Sequence, residues 1–113
     1  MNKGTIVLAR FPFTDFTSEK RRPALIISAN NENKNDLIIA FISSVVPENL
    51  TAADLVLPIN EPELKETRLH KTSVVRFDKI MTIEKNLITG EIGNLPAKFI
   101  YEADKRLKIV FGL

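Results

Sequence analysis

Lys20, Arg21 and Arg22 stand immediately before Pro23 and an apolar run, where a polar stretch gives way to a buried one. Proline fixes its own backbone and biases the preceding residue towards extended geometry, so Arg22 is held at the start of a strand. An arginine held this way presents a planar, permanently charged fork that matches two phosphate oxygens, and it loses less entropy on binding than one on a free loop. Three basic residues before a hydrophobic strand also serve solubility or guard against aggregation, and the motif alone does not separate these uses.

Residues 72–78 (TSVVRFD) hold a second set. Strand alternation puts Thr72, Val74, Arg76 and Asp78 on one face and Ser73, Val75 and Phe77 on the other. On a solvated face, an Arg76–Asp78 pair would contribute little by itself. Ser43 and Ser44 interrupt the apolar run of residues 37–46. A hydroxyl there could hold a phosphate oxygen or could satisfy backbone groups where the strand turns. His70 is the only histidine and cysteine is absent. Multi-histidine metal sites, thiolate chemistry and paired-histidine acid–base catalysis are therefore unavailable, which leaves Arg, Lys, Asp, Glu, Ser, Thr and Tyr.

The elements that must position these residues belong to a short chain. Its 113 residues and 12.7 kDa suit one domain, and 44% apolar residues support one core. No apolar run approaches the roughly 18 residues of a membrane span. Met1 to Gly4 lead directly into a strand-like segment without the pattern of a signal peptide. With no cysteine, the expected compartment is the cytoplasm. The net charge of +2 conceals segregation: +2 over residues 1–47, −4 over 48–66 and +4 over 67–113. Such ends could form an anion-binding groove or simply a solvated face.

Residues 4–10 (GTIVLAR) read as a first strand ended by Pro12, with Phe11 and Phe13 anchoring its exit, and residues 14–21 as a polar loop. Residues 23–29 read as a strand, 30–35 as a turn and 36–46 as a strand buried on both faces. Residues 55–57, 72–77, 80–83 and 88–92 read as short strands, and 58–66, with two prolines and three glutamates, as an exposed loop. The period then changes: Ile100, Ala103, Leu107 and Val110 recur as on an amphipathic helix, with Asn94 as its cap, Pro96 in its first turn and Gly112 as its stop. A mainly β fold follows, a small curved barrel of six to seven strands with a C-terminal helix.

In chain order, G-T-I-V at residues 4–7, Phe11-Pro12, R-R-P-A-L-I-I-S at 21–28, F-I-S-S at 41–44 and S-V-V-R-F-D-K-I-M-T-I at 73–83 resemble the MazF/PemK/Kid toxin family. The likeness covers nearly the whole chain. It implies an SH3-like barrel with a C-terminal helix, a homodimer, sequence-selective and metal-independent cleavage of single-stranded RNA, and a cognate antitoxin that blocks the site. Neither a cofactor nor a metal is implied. By position, Arg22 matches the family's catalytic arginine and Ser43 stands where related toxins have a catalytic threonine. Arg76 and Asp78 match an arginine and an aspartate that act in RNA cleavage in the Kid-like branch. Thr17, Lys20, Arg21, Ser44 and Thr72 are the implied RNA contacts.

One departure concerns the base. Many members carry G-[SH]-E-Q in the loop after the first strand, where this chain has Phe16-Thr17-Ser18-Glu19, so Glu19 is an approximate stand-in. The substituted loop also admits a second reading, a barrel that binds an antitoxin peptide or nucleic acid without cutting it.

Overall fold

The computed structural model describes residues 1–10, 21–29 and 34–113. Six strands are followed by one helix: β1 Thr5–Arg10, β2 Arg21–Ile26, β3 Asp36–Ser43, β4 Asp54–Leu57, β5 Ser73–Glu84, β6 Ile88–Asn94 and α1 Ala97–Phe111. They form one antiparallel sheet in the order β4-β5-β3-β2-β1-β6. Phe11, Phe13, Thr17, Glu19 and Lys20 lie outside the described residues, as does most of the expected 30–35 turn.

Alternation along the strands divides the apolar residues between two faces. Ile6, Leu25, Ala40, Ile42, Val75 and Phe77 pack with Phe99 and Ala103 of α1, while Val7, Ala9, Ala24, Ile26, Leu37, Ile39 and Ile83 cluster on the opposite face. Both faces are buried because the sheet bends sharply. The main corner lies in β5: Ala40 pairs with Ile80 but its neighbour Phe41 pairs with Arg76, so Phe77, Asp78 and Lys79 bulge from the ladder. At the start of the bulge the Phe77 N–H donates to the Ala53 carbonyl at 2.9 Å.

The edges β4 and β6 do not hydrogen-bond to each other, so "barrel" describes the curvature and not closure. A 3₁₀ turn at Pro62–Thr67 packs against β6 instead, with Leu64 and Thr67 buried. Gly93 permits that approach: a Cβ there would lie 2.3 Å from the Glu66 carbonyl oxygen and 2.6 Å from that of Thr67.

Several boundaries differ from the sequence expectation. Arg21, assigned to the loop, pairs with Arg10 inside β2. The two segments 72–77 and 80–83 are one continuous β5, because a bulge bends a strand without ending it. β3 stops at Ser43, and its Ile38 is 38% exposed, so burial on both faces begins only at Ile39. Residues 58–66 are not simply an exposed loop, since they include most of the 3₁₀ turn. Asn94 does not cap α1. It ends β6 and accepts from the Thr5 hydroxyl at 3.5 Å, while Pro96 is the capping position. The helix ends as expected at Gly112, where φ of 69° lets the N–H groups of Gly112 and Leu113 reach the carbonyls of Ile109 and Lys108. Among the described residues no helix is long and apolar enough to cross a membrane.

Candidate active site on the face opposite the helix

The strands β2, β3 and β5 are neighbours, and Ala24, Phe41 and Arg76 form one row across them that Asp54 continues onto β4. Directly paired residues share a face, and so do residues two apart on one strand. Arg22, two before Ala24, and Ser43, two after Phe41, therefore share the face of Arg76. The β2–β3 ladder stops at Ala24 and Phe41, beside Pro23. Counted on by two residues, Arg22 falls beside Ser43. Arg22 and Arg76 thus flank β3, about 10 Å apart across the strands and about 7 Å along them, a gap that two extended guanidinium side chains can close.

Local chemistry fixes most of this set. Arg22 is exposed, whereas the Arg76 side chain is 31% exposed and faces two carboxylates. Its Nε lies 3.6 Å from Asp54 Oδ1 and 4.0 Å from Asp78 Oδ1. Asp78 projects from the bulge with its side chain 47% exposed, so the strand alternation that predicted its alignment breaks at the point where it is presented to solvent. The Ser43 hydroxyl accepts from the Val45 N–H at 3.1 Å, which ends the strand as the turn reading requires. The same hydroxyl donates to the Val45 carbonyl at 3.4 Å, a long bond that a phosphate oxygen could displace. Ser44 is exposed in the same turn.

Two expected contacts sit apart from this group. Arg21 is exposed on the opposite face, in register with Arg10, because adjacent residues of a strand point to opposite sides. Thr72 precedes β5, and its Oγ1 accepts from the Ile59 N–H at 3.2 Å, tying down the segment after β4. Thr17, Lys20 and Glu19 lie outside the described residues. His70 is exposed before β5.

The sequence reasoning missed Asp54. It is 5% exposed, and its Oδ2 accepts from the Thr51 N–H at 3.0 Å and the Thr51 hydroxyl at 3.2 Å. Its carbonyl accepts from Arg106 Nε at 3.0 Å. Arg106 also donates to Glu102 and thereby holds that carboxyl below the usual carboxylate range. A threonine three residues before an aspartate at a strand start is a local turn signal that could have drawn attention to Asp54. Its partner on β5 is visible only in the register. Among the described residues no group of three or more His, Asp or Glu side chains could hold a metal ion.

The chain matches the model for the PemK-like, MazF-like toxin of type II toxin-antitoxin systems over residues 2–111. It is 33% identical over 94 residues to endoribonuclease MazF2 of Mycobacterium bovis, covering 83% of this chain and 81% of that protein. The same figures hold for endoribonuclease MazF6 of Mycobacterium tuberculosis. Among solved structures, the Mycobacterium tuberculosis toxin MazF-mt6 has a TM-score of 0.74 at 22% identity, over 96% of this chain and 97% of that one. A MazE-MazF structure from Deinococcus radiodurans has 0.78 at 19%, over 100% and 96%. These structural likenesses establish the fold.

Proposed function

The chain belongs to the PemK-like, MazF-like toxins of type II toxin-antitoxin systems, and on that premise we propose that it is a cytoplasmic endoribonuclease that cuts single-stranded RNA at selected sequences. The observation that carries this reading is the common face of Arg22, Ser43 and Arg76, spanning β2, β3 and β5. Two arginines on one face of the sheet suit a phosphodiester, whose charge rises as it reacts. The reaction needs no bound metal if the substrate supplies its own nucleophile. The 2′-OH loses its proton to a carboxylate, the 2′-oxygen bonds to phosphorus, and the bond from phosphorus to the 5′-oxygen breaks as that oxygen takes up a proton from solvent. The products are a 2′,3′-cyclic phosphate and a 5′-OH.

Within this scheme Asp78, or Glu19, is the base. Arg22 and Arg76 stabilise the phosphorane by fixed charge, since a guanidinium keeps its proton too tightly to be a good donor. Ser43 offers its hydroxyl to a phosphate oxygen. Thr17, Lys20, Arg21, Ser44 and Thr72 would steady the flanking strand, with Arg21 reached around the start of β2. Dependence on the 2′-OH discriminates against DNA. The functional unit is a homodimer, and its inhibitor is a cognate antitoxin that covers this face.

Incubating the purified chain with single-stranded RNA in EDTA tests the reading. Discrete fragments ending in cyclic phosphate support it. RNA that stays intact but bound at high protein concentration would instead favour the non-catalytic binding module.

A further inference from the structure

Asp54 has no part in the reaction above, yet it is the most firmly held polar side chain on that face. Building on the endoribonuclease reading, we propose that Asp54 is a positioning residue: its carboxylate holds the Nε edge of Arg76 so that the opposite edge of the guanidinium meets the scissile phosphate. The two residues pair directly across β4 and β5. Asp54 cannot turn away, because Thr51 holds Oδ2 with two hydrogen bonds and Arg106 holds the carbonyl. That leaves Oδ1, which is buried without a hydrogen-bond partner among the described residues and faces the Arg76 Nε, likewise buried without one among them. Their separation of 3.6 Å is roughly half an ångström too long for a hydrogen bond.

A buried carboxylate oxygen and a buried N–H that face each other, each without a hydrogen bond among the described residues, form a contact poised to close. Catalytic hydrogen bonds are commonly long in the free enzyme and tighten around substrate. Arginine has five N–H donors in a fixed fork, so one edge can be held by a carboxylate while the other grips two phosphate oxygens. Asp78 Oδ1 also comes within 4.0 Å of that Nε, but its side chain is 47% exposed where that of Asp54 is 3%, so of the two Asp78 is the one that can reach substrate. The two carboxylates therefore divide the work: Asp54 fixes orientation from within, and Asp78 acts from the exposed side.

The test is Asp54→Asn, which preserves shape and leaves an oxygen for Thr51 but sets an uncharged amide against Nε–H. On an RNA with one cut site, kcat should fall about tenfold or more with KM little changed and the thermal melt retained. In an Arg76→Ala background the same substitution should cost nothing further. Exchange of the Arg76 Nε–H with solvent, followed by nitrogen-15 NMR, should accelerate in Asp54→Asn. Thr51→Val, at an exposed position, removes the hydroxyl that donates to Oδ2 and accepts from the Ala53 N–H, and keeps the Thr51 N–H bond to Oδ2; it should lower kcat a few-fold, again only when Arg76 is present. The proposal is overturned if Asp54→Asn cuts at the wild-type rate, if its loss persists in full without Arg76, or if Nε–H exchange is unchanged. Should Asp54→Asn fail to fold, Thr51→Val decides, and a loss that persists without Arg76 overturns the proposal. A wild-type protein that leaves RNA intact would refute the endoribonuclease reading itself, whereas an active wild type beside an unimpaired Asp54→Asn refutes only the role of Asp54.

Discussion

Arg22 is exposed, adjoins Pro23 and shares a face with Arg76, so its removal should separate activity from stability. Arg22→Ala is expected to slow cleavage by about a hundredfold or more, the usual cost of losing a group that stabilises a developing oxyanion. Its melt should stay within about 0.5 kcal/mol of wild type, as for surface substitutions generally. An unfolded variant would mean that the arginine is structural. The base is decided by comparing Asp78→Asn with Glu19→Gln on a substrate with a single cut: the variant that keeps full rate excludes its residue, and the loss is expected in Asp78→Asn. The residue types were legible in the sequence, since proline fixes Arg22 and alternation orients Arg76. Their convergence was not, because it depends on which strands pair and in what register. Asp54 stayed hidden for the same reason.

The bulge in β5 and the 3₁₀ turn are the elements that give the sheet its shape. Gly93 of β6 is a tight point against that turn, with a would-be Cβ overlapping two backbone carbonyls that have no rotamer by which to escape. Gly93→Ala should therefore cost about 1–3 kcal/mol or more, seen as a melting temperature lowered by several degrees. An unchanged melt would show that the turn is not clamped to β6. At this scale the sequence was informative where a local pattern ran unbroken, as in the β-branched apolar run of β1 and the helical period of α1. It misled where a tertiary contact overrode local pattern. The bulge made one strand read as two, and burial of Leu64 and Thr67 folded a segment whose prolines and glutamates read as an exposed loop. The Asn94 side chain was drawn to Thr5 and away from the helix start.

Taken whole, the molecule has a radius of gyration of 13.5 Å, close to the ~13 Å expected of one compact domain this long. The proposed homodimer should sediment at twice the 12.7 kDa chain mass at micromolar concentration, and a single species at chain mass would contradict it. The small net charge of +2 means that RNA is held by local arrangement of charge, so binding should weaken steeply with salt only to the extent that a few phosphates are contacted. The most direct measurement maps the cut in a single-stranded RNA, then repeats the digestion with one 2′-deoxynucleotide placed immediately 5′ of that bond. The expected result is cleavage of the all-ribose strand to a 2′,3′-cyclic phosphate and complete resistance of the substituted one; equal cutting of both, or of neither, would contradict the account.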